Sequence, residues 1–130
     1  MKRNRILVVD DEDVMRDFIA FVLKGAGYHV SIAEDGVAGF SLWDELAGTI
    51  DLIVTDIHMP KSNGIDLINR IRMVDTTRVK ILAICGKPTP ELIRRVIDAG
   101  ADAFAEKPFK VIHFLEKVAE LLEAKTQETS

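Results

Sequence analysis

Apolar runs and helix-patterned stretches alternate five times along this chain, and no other feature restricts its fold as strongly. The runs lie at about 5–9, 28–33, 51–55, 79–84 and 101–105. The stretches between and after them carry apolar residues three and four apart, the period of one helix face. Four of these stretches span about 13–25, 36–47, 64–74 and 109–123, and the other runs from Thr89-Pro90-Glu91 to Ala99. Strand followed by helix, repeated five times, predicts an α/β fold of (βα)5 type: a doubly wound, five-stranded parallel sheet with helices on both faces. A chain of 130 residues makes one such domain with a real core.

The punctuation agrees with that pattern. Gly25 and Gly27 close the first helix, since glycine accepts the left-handed conformation at helix ends. Asp35 can cap the second helix, and Gly48 ends it. Thr89, Pro90 and Glu91 start the fourth with a capping hydroxyl, a first-turn proline and an acid near the positive dipole end. The fourth run is apolar except for Lys80, so it reads as a strand covered on both faces. The segment 124–130 is a polar tail and is expected to fray from a domain ending at 123.

Ligands of open parallel sheets sit beyond the carboxyl ends of the strands. Asp10 and Asp11 follow the first run, Asp56 the third, Cys85 the fourth and Lys107 the fifth. All of them fall at carboxyl ends. Three carboxylates gathered in one pocket repel each other, and a cation is the natural compensation. Oxygen donors and few carboxylates suit Mg²⁺, or Mn²⁺ in its place, which also binds phosphate oxygens. A flavin phosphate would need backbone donors and hydroxyls after the first strand. Asp10-Asp11-Glu12-Asp13 stands there instead and repels a bare phosphate. Asp56, between the acid pair and Lys107, is the candidate nucleophile, because carboxylates form acyl phosphates with a good donor. Such a transfer needs positioning and charge neutralisation more than acid–base work. Lys107 supplies a compact positive charge. Thr55 alternates to the opposite face and is left out of the site.

Net charge is -4 and the basic residues are scattered, so neither nucleic acid nor an anionic membrane is an expected partner. One cysteine, Cys85, permits no intrachain disulfide. The N-terminal apolar run is too short for a signal peptide, which leaves a cytoplasmic location as the expectation. His29, His58 and His113 share no metal-ligand spacing with each other or with Cys85. Trp43 and His113 read as packing and surface residues.

Along its whole length the chain resembles the receiver domain of bacterial two-component response regulators. The resemblance rests on Ile6-Leu7-Val8-Val9-Asp10-Asp11-Glu12 and on Asp51 through Pro60, which contains Thr55-Asp56-Ile57-His58-Met59. It rests also on Asn63-Gly64, Gly100-Ala101-Asp102 and Lys107-Pro108-Phe109, in this order and at these spacings. It implies a flavodoxin-like sheet with strand order 2-1-3-4-5. It implies that Asp56 takes a phosphoryl group from a phosphohistidine on a histidine kinase or histidine phosphotransfer protein. Asp10, Asp11, Asp56 and the backbone carbonyl of His58 are then the Mg²⁺ ligands, Lys107 binds the phosphoryl group, and Lys107-Pro108 is cis. The face of helix four, strand five and helix five then carries the output to a downstream protein target and is a candidate homodimer contact. No further module follows helix five in this sequence, so the expectation is a stand-alone regulator or one domain of a longer chain.

Cys85 departs from the pattern, which has serine or threonine there. A thiol is a larger and weaker donor than a hydroxyl. The departure leaves three readings: a tolerated substitution, altered switching, and a redox-sensing thiol. Phe104 matches the family's switch aromatic. His58 and Lys87 flank the phosphoryl site, where the family tunes dephosphorylation. The protein is expected to be a signalling phosphoacceptor rather than an enzyme. Two rivals are a phosphorylation-independent interaction module, supported only by Cys85, and a Mg²⁺-dependent phosphatase with an aspartyl nucleophile. The latter resembles haloacid dehalogenases, which need a second acid where His58 stands.

Overall fold

Strand and helix alternate as β1 (Arg5–Val9), α1 (Asp13–Gly25), β2 (His29–Ala33), α2 (Gly36–Glu45), β3 (Leu52–Asp56), α3 (Gly64–Val74), β4 (Lys80–Gly86), α4 (Pro90–Ala99), β5 (Ala103–Lys107) and α5 (Val111–Thr129). This computed structural model describes residues 3–59 and 63–129, the last four without their side chains. Pro60, Lys61 and Ser62, which belong to the expected loop before the third helix, lie outside the described residues.

The strands pair in parallel in the order β2-β1-β3-β4-β5, as expected. The central strands are buried on both faces, and their two-residue alternation divides the core into two layers. On one face Leu7, Val9, Ile53, Ile81 and Ala83 meet Trp43, Leu67, Ile68, Ile71 and Val96 from α2, α3 and α4. On the other, Ile6, Val8, Leu52, Val54, Leu82 and Ile84 meet Ile19, Leu23, Phe114, Val118 and Leu122 from α1 and α5. Each such aliphatic side chain contributes about 1.5–3 kcal/mol of burial. The expected caps form: Asp35 accepts from the Ala38 N–H at 2.7 Å and Thr89 from the Leu92 N–H at 3.1 Å.

Several boundaries differ from the sequence expectation, and two of them have a local cause. The fifth strand pairs from Ala103 rather than from 101. Ala101 donates its N–H to Val96 O and so closes α4, while Asp102 turns its carboxylate to the Ile81 N–H at 2.8 Å. Asp102 also donates its N–H to Ile81 O at 2.9 Å, but the Ile81 N–H goes to its side chain, so regular pairing begins at Ala103. Helix α5 runs on to Thr129 instead of ending at 123. Residues 124–129 are polar, but they include no glycine or proline to stop a helix. Lys107-Pro108 is cis.

The amino-terminal edge of the sheet is tied by one side chain. Arg72 of α3 donates to Gly100 O at 3.0 Å, to Val79 O at 2.6 Å, and to the carboxylates of Asp75 at 3.2 Å and Asp102 at 2.9 Å. Gly100, at φ 122°, has no Cβ to collide with the Arg72 stem.

Candidate functional site at the carboxyl edge

The buried runs of β1 and β3 deliver their terminal aspartates to one place. Asp10 and Asp56 are 1% and 5% exposed, unusual for carboxylates and costly without partners. Asp10 accepts the Glu12 N–H at 2.9 Å, which binds the start of α1 to the site although Glu12 offers no side-chain cap. Arg16 holds the Asp10 carbonyl at 3.0 Å. Asp56 ends β3 opposite Ile84 of β4 and accepts the His58 N–H at 3.3 Å. Asp11 is half-buried beside them. One ligand oxygen each from Asp10, Asp11 and Asp56 lies within 4.8 Å of the others.

Lys107 reaches into this group from the last residue of β5, not from beyond the strand as its pattern indicated. Its Nζ stands 3.4 Å from Asp10 Oδ2 and 3.3 Å from Asp56 Oδ2. One ammonium thus serves two buried carboxylates and leaves the trio with an excess of negative charge. The electrostatics follow. Burial pushes the Asp56 carboxyl above its ordinary range and the Asp10 charge adds to this, while Lys107 opposes it. Burial favours loss of the Lys107 proton, but the Asp56 and Asp10 carboxylates outweigh it and hold its pKa above the ordinary value. Three oxygen donors at this spacing could hold a divalent cation, and the donor set is the hard one that Mg²⁺ prefers.

The α3 helix is pressed directly against this edge. A Cβ on Gly64 would overlap the Asp56 carbonyl oxygen and lie 3.0 Å from Ile57 Cα. Glycine is therefore what lets α3 begin there, with the Gly64 N–H on Ile57 O at 3.0 Å and Asn63 capping through the Asp66 N–H at 2.9 Å. In the sequence Asn63 and Gly64 end the loop that turns into the third helix and form part of a family motif. Their packing role depends on a close approach that no linear pattern encodes.

The softer candidates are placed as follows. Cys85 is fully buried on β4, and its Sγ lies 3.2 Å from His58 Nε2 and 3.6 Å from Gly86 O. Burial, then the Asp56 charge, push its thiol up, so it is held as a thiol. That opposes the redox-sensing reading, which needs a thiolate. The Cys85–His58 contact was missed in the sequence because 27 residues separate the pair. Lys87 is exposed at φ 60°. Phe104 is half-buried on the layer with α4, and its carbonyl accepts from Lys117 at 2.8 Å. Thr55 donates to the Asp56 carbonyl at 3.0 Å and stays out of the cluster. Trp43 is core, packed on Phe40, and His113 is on the surface.

Residues 6–119 match the family model for the response regulator receiver domain. The chain is 31% identical over 119 residues to the transcriptional regulatory protein CpxR of Escherichia coli strain K12, covering 92% of this chain and 49% of that protein. It is 39% identical over 114 residues to the alkaline phosphatase synthesis transcriptional regulatory protein SphR of Synechococcus elongatus, covering 82% of this chain and 44% of that one. The chain therefore spans about half the length of these relatives. Among solved structures, a CheY-like receiver domain protein of Methanospirillum hungatei superposes with a TM-score of 0.88 at 29% identity, covering 98% of this chain and 99% of that one. The chemotaxis protein CheY4 of Vibrio cholerae superposes at 0.86 with 26% identity, covering 92% and 99%. Among the described residues no helix is long and apolar enough to cross a membrane.

Proposed function

The chain belongs to the response regulator receiver domain family, and from that premise we propose that Asp56 accepts a phosphoryl group from a phosphohistidine of a histidine kinase or phosphotransfer protein. The observation that carries this reading is the single Lys107 ammonium bridging the buried carboxylates of Asp10 and Asp56. In the transfer an Asp56 oxygen attacks phosphorus, the P–N bond of the donor breaks, and the donor imidazole keeps the electron pair. Asp10, Asp11, Asp56 and the His58 carbonyl would hold Mg²⁺, or Mn²⁺, which supplies positive charge to the phosphoryl oxygens when bound. Lys107 adds the second positive charge and moves from a carboxylate oxygen to a phosphoryl oxygen as the group arrives. The His58 N–H orients one Asp56 oxygen and leaves the other to react.

The output is a change in the face made by α4, β5 and α5, where Phe104 is half-buried against the core. A downstream protein, or a second copy of the chain, reads that face. Lys87 borders the phosphoryl site and tunes its lifetime. The role is that of a signalling phosphoacceptor, with the protein acting on itself rather than turning over an external substrate.

The test is labelling with a small-molecule phosphodonor. Wild type should incorporate about one phosphoryl group per chain in the presence of the cation and none with chelator. Asp56→Asn should incorporate none. Equal labelling of the variant, or none of the wild type, overturns the assignment.

A further inference from the structure

His58 is held at both ends. Its main-chain N–H donates to the Asp56 carboxylate at 3.3 Å, and its ring Nε2 lies 3.2 Å from the Cys85 sulfur. The residue is exposed, whereas Asp56 and Cys85, which it touches, are buried. The main-chain bond sets His58 beside Asp56, and its imidazole reaches from the end of β3 across to the sulfur near the end of β4. The register explains why the sulfur is within reach: Asp56 pairs with Ile84, so Cys85 stands one residue beyond the acceptor, and it pairs in turn with Glu106 next to Lys107.

The geometry points to Cys85 as a positioning residue: its thiol pins the His58 ring beside Asp56 and thereby lengthens the life of the phosphoryl group carried there. This rests on the phosphoacceptor reading above. A thiol has one hydrogen and two partners here, His58 Nε2 and Gly86 O at 3.6 Å. Either the thiol donates to Nε2, or Nε2–H donates to sulfur while the thiol donates to Gly86 O. Both arrangements fix the ring, and each fixes one tautomer. A hydroxyl sits on a shorter bond and falls short of Nε2 from the same backbone position, so the device depends on sulfur.

Loss of the phosphoryl group is hydrolysis. Water adds to phosphorus, the P–O bond to Asp56 breaks, and phosphate and the free carboxylate result. A ring pinned beside Asp56 slows the arrival of that water. Releasing it should shift the pinned population by about the factor one neutral hydrogen bond sustains, threefold to tenfold.

The experiment is a double-mutant cycle on the dephosphorylation rate of the full chain, labelled by a small phosphodonor with Mg²⁺. Cys85→Ala should accelerate loss about threefold to tenfold in the wild-type background and leave the rate unchanged in His58→Ala. Cys85→Thr should accelerate it like Cys85→Ala, because the hydroxyl cannot reach the ring. Ring ¹⁵N shifts of His58 in the unphosphorylated protein give an independent readout: one tautomer in wild type, a mixture in Cys85→Ala. Effects that multiply independently across the cycle, or a tautomer mixture already present in wild type, overturn the positioning role alone. A wild type that takes up no label overturns the phosphoacceptor reading, and this inference with it.

Discussion

Replacing Asp56 with asparagine should make the metal-free protein more stable. Asp10, Asp11 and Asp56 have ligand atoms within 4.8 Å of one another, and at an effective dielectric of about 20 two like charges at that separation repel by about 3.5 kcal/mol. Asp56 meets two such repulsions and one attraction, to Lys107 at 3.3 Å, worth about 5 kcal/mol on the same scale. Its charge is therefore unfavourable by about 2 kcal/mol, and burial acts in the same direction. Asparagine keeps the shape and an oxygen for the His58 N–H, so little packing is lost. For 130 residues that difference corresponds to a rise of about 6–8 °C in Tm. The order should invert with the cation. Binding at a hundredfold excess over Kd stabilises wild type by about 2.7 kcal/mol, and the variant, short of one ligand charge, gains far less. Thermal unfolding followed by circular dichroism, in chelator and across a Mg²⁺ titration, measures both effects. A variant that melts below wild type in chelator, or gains as much from Mg²⁺, refutes the charge accounting.

The same carboxylate predicts a pH signature. Its folded pKa is raised, so the folded state retains a proton that the unfolded chain releases, and stability falls as pH rises through the folded value. In metal-free unfolding at a series of pH values, the advantage of Asp56→Asn should accordingly shrink on acidification. Gly64→Ala should destabilise by about 2–3 kcal/mol, since its Cβ would meet the backbone of Asp56 and Ile57, and denaturant melts would read it. Lys107→Met should slow phosphoryl uptake at least about tenfold in the labelling assay, by removing a charge aimed at the transferred group.

Most of the fold was legible because its signals are local. The continuous apolar runs of Ile6 to Val9 and of Leu52 to Val54, set against the helical spacing of α1 and α5, indicate the strand–helix order. The gathering of Asp10, Asp11, Asp56 and Lys107 was legible too, because parallel strands deliver every carboxyl end to one edge. What escaped depends on contacts between distant residues. Ala101 and Asp102 look like strand, but Val96 takes the Ala101 N–H and the Asp102 side chain takes the Ile81 N–H. The Cys85–His58 contact needs the β3–β4 register, and the fit of Gly64 needs the docking angle of α3.

The Arg72 tie gives the two ends of the sheet unequal resistance to opening. At the amino edge, separating α3 from β4 and β5 breaks hydrogen bonds to Gly100, Val79 and Asp102 together. At the carboxyl edge, carboxylate repulsion lowers the cost of the first opening. Amide hydrogen exchange should therefore run as a gradient along each central strand, fastest beside Asp56 and slowest beside Arg72. A molecule graded in this way can loosen at one end without unfolding, because its other end works as an anchor.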